Sequence, residues 1–493
     1  MHVGIIHADE VTVIHTLWDL LSVFKTNGFF SSEFYRVLMD PPGGAYASYG
    51  KPTFLLLHFP FFLWFHANPH ALIYVTTMWA MVNLVLVYTI ARVFFSSPKM
   101  ALLSVLILAF SMFDIQYSRS FLPHTAATTF LLASLMCYLK HEKEKPFFYL
   151  AVSGVLLGVS GTIHPTAFFF YFGYGWSELF VHLPVGSWKK RMLQRFSHLG
   201  IFTLFFSSVI LFYEITALLM AQTSYLYHLV LQAEASREEM TSLGPLYYLK
   251  QVCVSQGLVF LIGFGIGFGL LIRKALRSKH FLSGTLIFLW VSYVSVWIFS
   301  VGGLTGHFRY MIPLVPMSAF AVAYFLEVLH QKKRFWRWAY GLFIFSYLIT
   351  QGVMFGQYLK ASSRGYIQMV QWMETLPALS LSGNLSFFEP YLKNIYPEMA
   401  RKVSFFPLPF TSIENKNVPQ NSYFIVSGVQ FHPQGDGFIF EGQMKHQIVQ
   451  EFKDPFLSYW PNFFQYGYES NQTSTIEKDF LLGYKAVLLL LRF

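Results

Sequence analysis

The chain has 493 residues, 54% hydrophobic and 19% aromatic but only 12% charged, a balance that excludes a soluble enzyme as its main body and calls for membrane-spanning helices. The formal net charge of +10 is no nucleic-acid signature, because the basic residues fall in short clusters between apolar segments, as topogenic charge does. Cys137 and Cys253 are the only cysteines and both lie in or beside apolar segments, so neither a disulfide framework nor a cysteine metal site is available.

The first ten residues are polar and end on Asp9-Glu10, where a cleavable signal peptide would need an apolar core. Insertion therefore falls to later helices, or to one further helix ahead of residue 1. Ile14, Leu17, Trp18, Leu21 and Phe24 recur at helical spacing, with Thr12, His15, Asp19 and Ser22 opposite, which predicts a helix lying in the interface plane. Asp40-Pro41-Pro42-Gly43-Gly44 breaks the chain. Pro52 to Phe65 is short and marked by proline, and reads as a second interfacial or re-entrant piece. Residues 1–69 thus form an outer loop.

Ten apolar segments follow, at about 70–95, 99–115, 121–139, 146–163, 165–183, 197–220, 253–273, 281–300, 309–329 and 336–357, each about long enough to cross a hydrocarbon core. Lys and Arg set their orientation. Seventeen lie in one set of loops, from Arg92 and Lys99 through Lys140, the Lys189–Arg195 cluster and Arg273–Lys279 to Lys332–Arg337. Four lie opposite: Arg119, Arg237, Lys250 and Arg309. The first set faces the cytoplasm, so both chain ends lie outside. Residues 70–358 form the transmembrane module. Beyond it, 359–493 turns polar and proline-punctuated, with strand-like runs at Tyr423–Ser427 and Ala486–Leu489. The prediction is a mainly α, polytopic helical bundle of about ten spans, eleven with a further N-terminal helix, carrying interfacial helices and a C-terminal mixed α/β extracytoplasmic domain.

This topology gathers the unusual polar residues on the outer face: Asp9-Glu10; Asp114, Tyr117, Ser118 and Arg119; His164-Pro165; and Gly306-His307-Phe308-Arg309-Tyr310. Together with Ser48-Tyr49-Gly50-Lys51-Pro52, and with Pro313 and Pro316 after Tyr310, these pieces in this order resemble the C-type glycosyltransferases of the protein O-mannosyltransferase and lipid A aminoarabinose transferase kind. The resemblance covers about residues 7–330 and rests on the ordered set. In that family a transmembrane helix precedes the acidic pair, whereas here eight residues do.

The resemblance implies a membrane glycosyltransferase that moves a sugar from a polyprenyl-phosphate donor to a hydroxyl acceptor on a glycan, lipid or protein. The reaction would run at the extracytoplasmic face of the cell (inner) membrane, with lateral access for the lipid and no nucleic acid involved. Displacing a polyprenyl phosphate needs a base for the acceptor proton and cations for the developing phosphate charge, and inverts the sugar carbon. Asp9 is the expected base and Glu10 its supporting acid. Arg119 and Arg309 are the expected phosphate ligands, since each offers a planar fork of donors; Tyr117, His307 and Lys51 support them. No cofactor is required, and a divalent metal on His7, His15, His164 and Asp9 stays open. The C-terminal domain is placed to hold or cover the acceptor.

Plainer readings stand beside these. Asp9 would equally cap the helix that starts near Glu10, the arginines would equally snorkel from helix ends, and His164 would equally be a helix-end residue. A transporter or flippase of a lipid-linked or small-molecule substrate would place ionisable groups at mid-bilayer, in paired interrupted helices. The glycines of Gly263–Gly269 suit close helix packing.

Overall fold

A computed structural model describes residues 8–41, 51–95, 97–142, 145–181, 187–238, 256–278, 281–300, 311–332 and 334–361, with short helix and strand segments between 373 and 492. The chain divides into two compact units, residues 19–353 and residues 1–18 with 354–493.

In residues 19–353 prolines write the helix starts. Pro52, Pro98, Pro123 and Pro146 open α3 (Pro52–Trp64), α5 (Pro98–Ala109), α7 (Pro123–His141) and α8 (Pro146–Ile163) at the position where a missing N–H costs nothing. Leu122 and His164, each preceding a proline, are driven into extended conformations (φ −119°, ψ 149° and φ −148°, ψ 116°), which separates α7 from the turn before it and ends α8. The remaining helices are α1 (Ala8–Asn27), α2 (Ser32–Met39), α4 (Leu72–Phe94), α6 (Met112–Tyr117), α9 (Phe170–Trp176), α10 (Trp188–Thr216), α11 (Tyr225–Glu238), α12 (Leu258–Ser278), α13 (Phe281–Ser300), α14 (Leu314–Gln331) and α15 (Arg334–Ala361).

Helix occupies each of the ten apolar segments where they are described, and among the described residues six helices are long and apolar enough to cross a membrane: Leu72–Phe94, Pro146–Ile163, Trp188–Ala221, Leu258–Arg277, Leu314–Gln331 and Trp336–Gly356. Several boundaries differ from those read in the sequence. The 99–115 segment is two helices, because the Ser111 side chain accepts from the Asp114 backbone N–H (3.2 Å) and starts α6 afresh. The 165–183 segment is broken into a 3₁₀ stretch (Pro165–Phe169), α9 and a π-helical turn (Ser177–Val181). The helix expected at 197–220 begins nine residues earlier at Trp188, its basic first turns continuing the helix past the apolar stretch. A further helix, α11, stands where the sequence suggested only loop; the Glu214 carboxylate accepts from the Leu226 N–H (2.9 Å) at its start. The buried stripe of α1 is Val13, Ile14, Thr16, Leu17, Leu20 and Leu21, while Trp18 and Phe24 are only half-buried, so the face sits about one residue round from the predicted one.

Small residues let the helices close up. On α12, Gly263 faces the Phe343 ring and Gly267 faces the Ala321 carbonyl, while Gly265 and Gly269 meet nothing within 4 Å, so two of the four glycines serve packing as the sequence suggested. Ser134 and Ser153 bond each other's carbonyls at 2.9 Å between α7 and α8, and Ser160 donates to the Ala127 carbonyl at 2.7 Å. Large apolar side chains such as Leu211 and Phe212 on α10 and Leu342 and Phe345 on α15 stay exposed, as a lipid-facing surface requires.

In the other unit, β1 (Leu379–Gly383), β2 (Val403–Pro407), β3 (Tyr423–Ser427), β6 (Gln447–Lys453) and β7 (Val487–Arg492) make a five-stranded mixed sheet in the order β2-β1-β3-β7-β6. β1 runs parallel to β2 and β3; β7 runs antiparallel to β3 and β6. Both strand-like runs read from the sequence are strands of this sheet, and β4 (Pro433–Gln434) and β5 (Gly437–Phe438) form a separate short pair.

Candidate active site

The turn after α6 carries Tyr117 and Arg119, and three hydrogen bonds brace it. The Thr125 hydroxyl on α7 donates to the Tyr117 carbonyl (3.2 Å), the Thr77 hydroxyl on α4 donates to the Ser118 carbonyl (3.1 Å), and the Ser120 N–H closes back on Tyr117 (3.3 Å). Asn83 on α4 in turn donates to the Thr125 carbonyl at 3.2 Å. Two helices thus fix the turn through its backbone, leaving the half-buried Arg119 guanidinium outside these bonds. Tyr117 is buried edge-on against Phe113, with ring centroids 4.8 Å apart.

A second brace holds α6 itself. Ser111 and Gln256 exchange hydrogen bonds of 2.9–3.0 Å, Gln351 accepts from the Met112 N–H (2.8 Å) and donates to the Gln256 carbonyl (2.7 Å), and Tyr347 donates to the Ile107 carbonyl (2.6 Å). Inside this frame, in the short helix beyond the end of α5, Asp114 is 8% exposed. Burial pushes its carboxyl up to about 7, so near neutral pH it is poised between acid and base. Sequence reasoning put Asp114 in the outer turn without a role; its burial is a tertiary fact.

At the same end of the bundle Lys51 is buried immediately before α3. Thr53, two residues on, bonds Tyr213 on α10 (2.6 Å) and Thr162 at the end of α8 (2.7 Å), which fixes the start of α3 against those two helices. His58, one turn further, bonds the Phe54 carbonyl through Nδ1 (2.8 Å) and packs on Phe121. His164 is a helix-end residue, in line with its plainer reading, and its Nδ1 bonds Thr166 (2.7 Å). It also packs on buried His124 with ring centroids 4.2 Å apart, a contact between α7 and α8 that no sequence spacing signals.

Lys51, Tyr117 and Arg119 therefore gather at one end of residues 19–353, together with Asp114, to which the sequence assigned no role. Asp9 and Glu10 fall in the described part of α1, and their side chains lie outside the described residues. Arg309 and His307 lie outside the described residues altogether, as does His7, one of the histidines that a divalent metal would use.

Residues 52–213 match the family described as dolichyl-phosphate-mannose-protein mannosyltransferase, a segment that includes Tyr117, Asp114 and Arg119. No curated protein matches the chain. Among solved structures, ArnT from Cupriavidus metallidurans bound to undecaprenyl phosphate superposes with a TM-score of 0.52 at 10% identity, over 99% of this chain and 94% of that one. The apo oligosaccharyltransferase of Archaeoglobus fulgidus gives 0.51 at 13% identity over 86% of this chain, which spans only 66% of that longer protein. At such identities the likeness speaks for the fold. The chain carries the C-type glycosyltransferase fold, and its residues 52–213 resemble the dolichyl-phosphate-mannose-protein mannosyltransferases.

Proposed function

We propose that the chain is a membrane glycosyltransferase that moves a sugar from a polyprenyl-phosphate donor to a hydroxyl acceptor on a glycan, lipid or protein, at the extracytoplasmic face of the cell membrane. The observation that carries this reading is the braced turn of Tyr117–Ser120, which holds Arg119 at the same bundle end as Lys51, within the segment that matches the mannosyltransferase family. The likeness over nearly the whole chain to a protein seen with undecaprenyl phosphate supports a lipid-phosphate donor.

In this reading the acceptor oxygen attacks the anomeric carbon from the face opposite the phosphate, its proton passes to the Asp9 carboxylate, and the sugar–phosphate C–O bond breaks with inversion. The polyprenyl phosphate leaves with the bonding electrons. Its growing charge falls to Arg119 and Arg309, whose forked donors match phosphate oxygens, with Lys51 adding charge and Tyr117 and His307 hydrogen bonds. Glu10 supports Asp9 or the acceptor. A transporter or flippase gains nothing from the fold, and is not favoured.

Incubating the purified protein with a panel of polyprenyl-phosphate sugars and candidate acceptors tests the proposal directly. The isosteric change Asp9→Asn is expected to lower transfer by about 10²- to 10⁴-fold, the range a positioned general base supplies, with expression and insertion intact. Wild-type turnover in that variant removes Asp9 from the base role.

A further inference from the structure

At the opposite end of the bundle, where Arg92, Lys140, Lys189, Lys190 and Arg191 cluster, three helical segments bring His141, Glu178 and His198 together. His141 lies at the end of α7, Glu178 in the π-helical turn after α9, and His198 on α10. All three are buried, with side-chain exposures of 0%, 3% and 2%. The Glu178 carboxylate lies 2.8 Å from His198 Nδ1 through one oxygen and 3.5 Å from His141 Nε2 through the other, and one ligand atom from each residue falls within 4.8 Å of the rest. We propose that His141, Glu178 and His198 bind a zinc ion that ties α7, the π-helical turn and α10 together at the bundle end remote from the candidate active site.

Several features carry the proposal. The donor set is chemically apt: two imidazoles and one carboxylate, with a water completing the tetrahedron, are an established ligand set for zinc. Ligands about 2.0–2.1 Å from a tetrahedral ion stand roughly 3.3 Å apart; the two Glu178–histidine separations straddle that value and the donor atoms all lie within 4.8 Å of one another, so modest side-chain adjustment seats the metal. The outer shell is also in place. His141 Nδ1 bonds the Tyr138 carbonyl, which fixes the tautomer leaving Nε2 as the ligand atom, and the Tyr138 hydroxyl donates to Glu178 Oε2 at 3.1 Å. Phe281 and Phe147 pack on the imidazoles of His141 and His198 with centroids 5.7 and 6.0 Å apart, closing the site in an apolar wall. The π-helical turn shifts Glu178 out of regular α-helical phase, and such turns recur at functional sites.

The alternative is a metal-free network in which the two imidazoles face Glu178 directly. Full-length protein, purified in detergent and stripped with a chelator, is titrated with Zn²⁺ against a chromophoric competitor, and bound metal is counted by mass spectrometry. One tight equivalent per chain is expected, retained in Asp9→Asn and Asp114→Asn and lost in Glu178→Gln and His198→Gln. Tyr138→Phe, which removes only the hydroxyl donor to Glu178, is expected to bind zinc about 10- to 100-fold more weakly. Co²⁺ substituted at the site should give the intense visible bands of a tetrahedral complex. Wild-type protein that takes up no zinc overturns the proposal without reference to any variant, and so does zinc that survives Glu178→Gln.

Discussion

The two ends of the 19–353 bundle differ in the kind of polar group they bury. At the end with Arg119, neutral side chains such as Thr77, Thr125, Asn83 and Gln351 spend their hydrogen bonds on backbone groups, which fixes a turn in place. At the other end the ionisable groups His141, Glu178 and His198 face one another inside an aromatic wall. The difference teaches that uncharged groups suffice to brace a turn, whereas a meeting of ionisable groups from three helical segments makes a place where a cation can bind.

The contrast can be broken experimentally. Glu178→Ala leaves two buried imidazoles without their carboxylate, and is expected to cost about 3–5 kcal/mol of stability in detergent unfolding while transfer per folded molecule is kept. A comparable loss of specific activity would mean that both ends serve catalysis. Asp114→Asn sharpens the other side. Because burial raises the Asp114 pKa to about 7, the folded chain holds a proton that the unfolded chain has lost once pH passes about 4. That stabilisation is fully present below about pH 4 and is lost as pH rises to about 7, a swing of about 4 kcal/mol that the asparagine variant should lack. An unchanged pH–stability profile would place Asp114 in contact with water.

Two smaller effects complete the comparison. Gly267→Ala adds a methyl that collides with the Ala321 carbonyl at the α12–α14 contact, between the two ends, and should cost about 1–3 kcal/mol without changing donor use. Thr125→Val removes one brace of the Tyr117 turn. It should cost about 1 kcal/mol and raise the KM for the polyprenyl-phosphate donor while kcat holds; an unaltered KM would show that the turn needs no brace.

What the sequence determined by itself is what depends on local chemistry. Apolar runs of membrane length and clustered lysines are short-range signals, so most of the helical segments were legible, and so was the turn that carries Tyr117 and Arg119. The glycine run at 263–269 was read as packing, and two of its glycines do pack. Tertiary structure decided what depends on partners far along the chain. Asp114 has its carboxyl pKa raised by burial, which the packing of α6 in the folded bundle creates. His141, Glu178 and His198, well separated in the chain, meet only when a π-helical turn places the glutamate between two other helices. Sequence spacing carries no trace of such meetings, because burial and proximity are properties of the packed helices and not of the residues that line them.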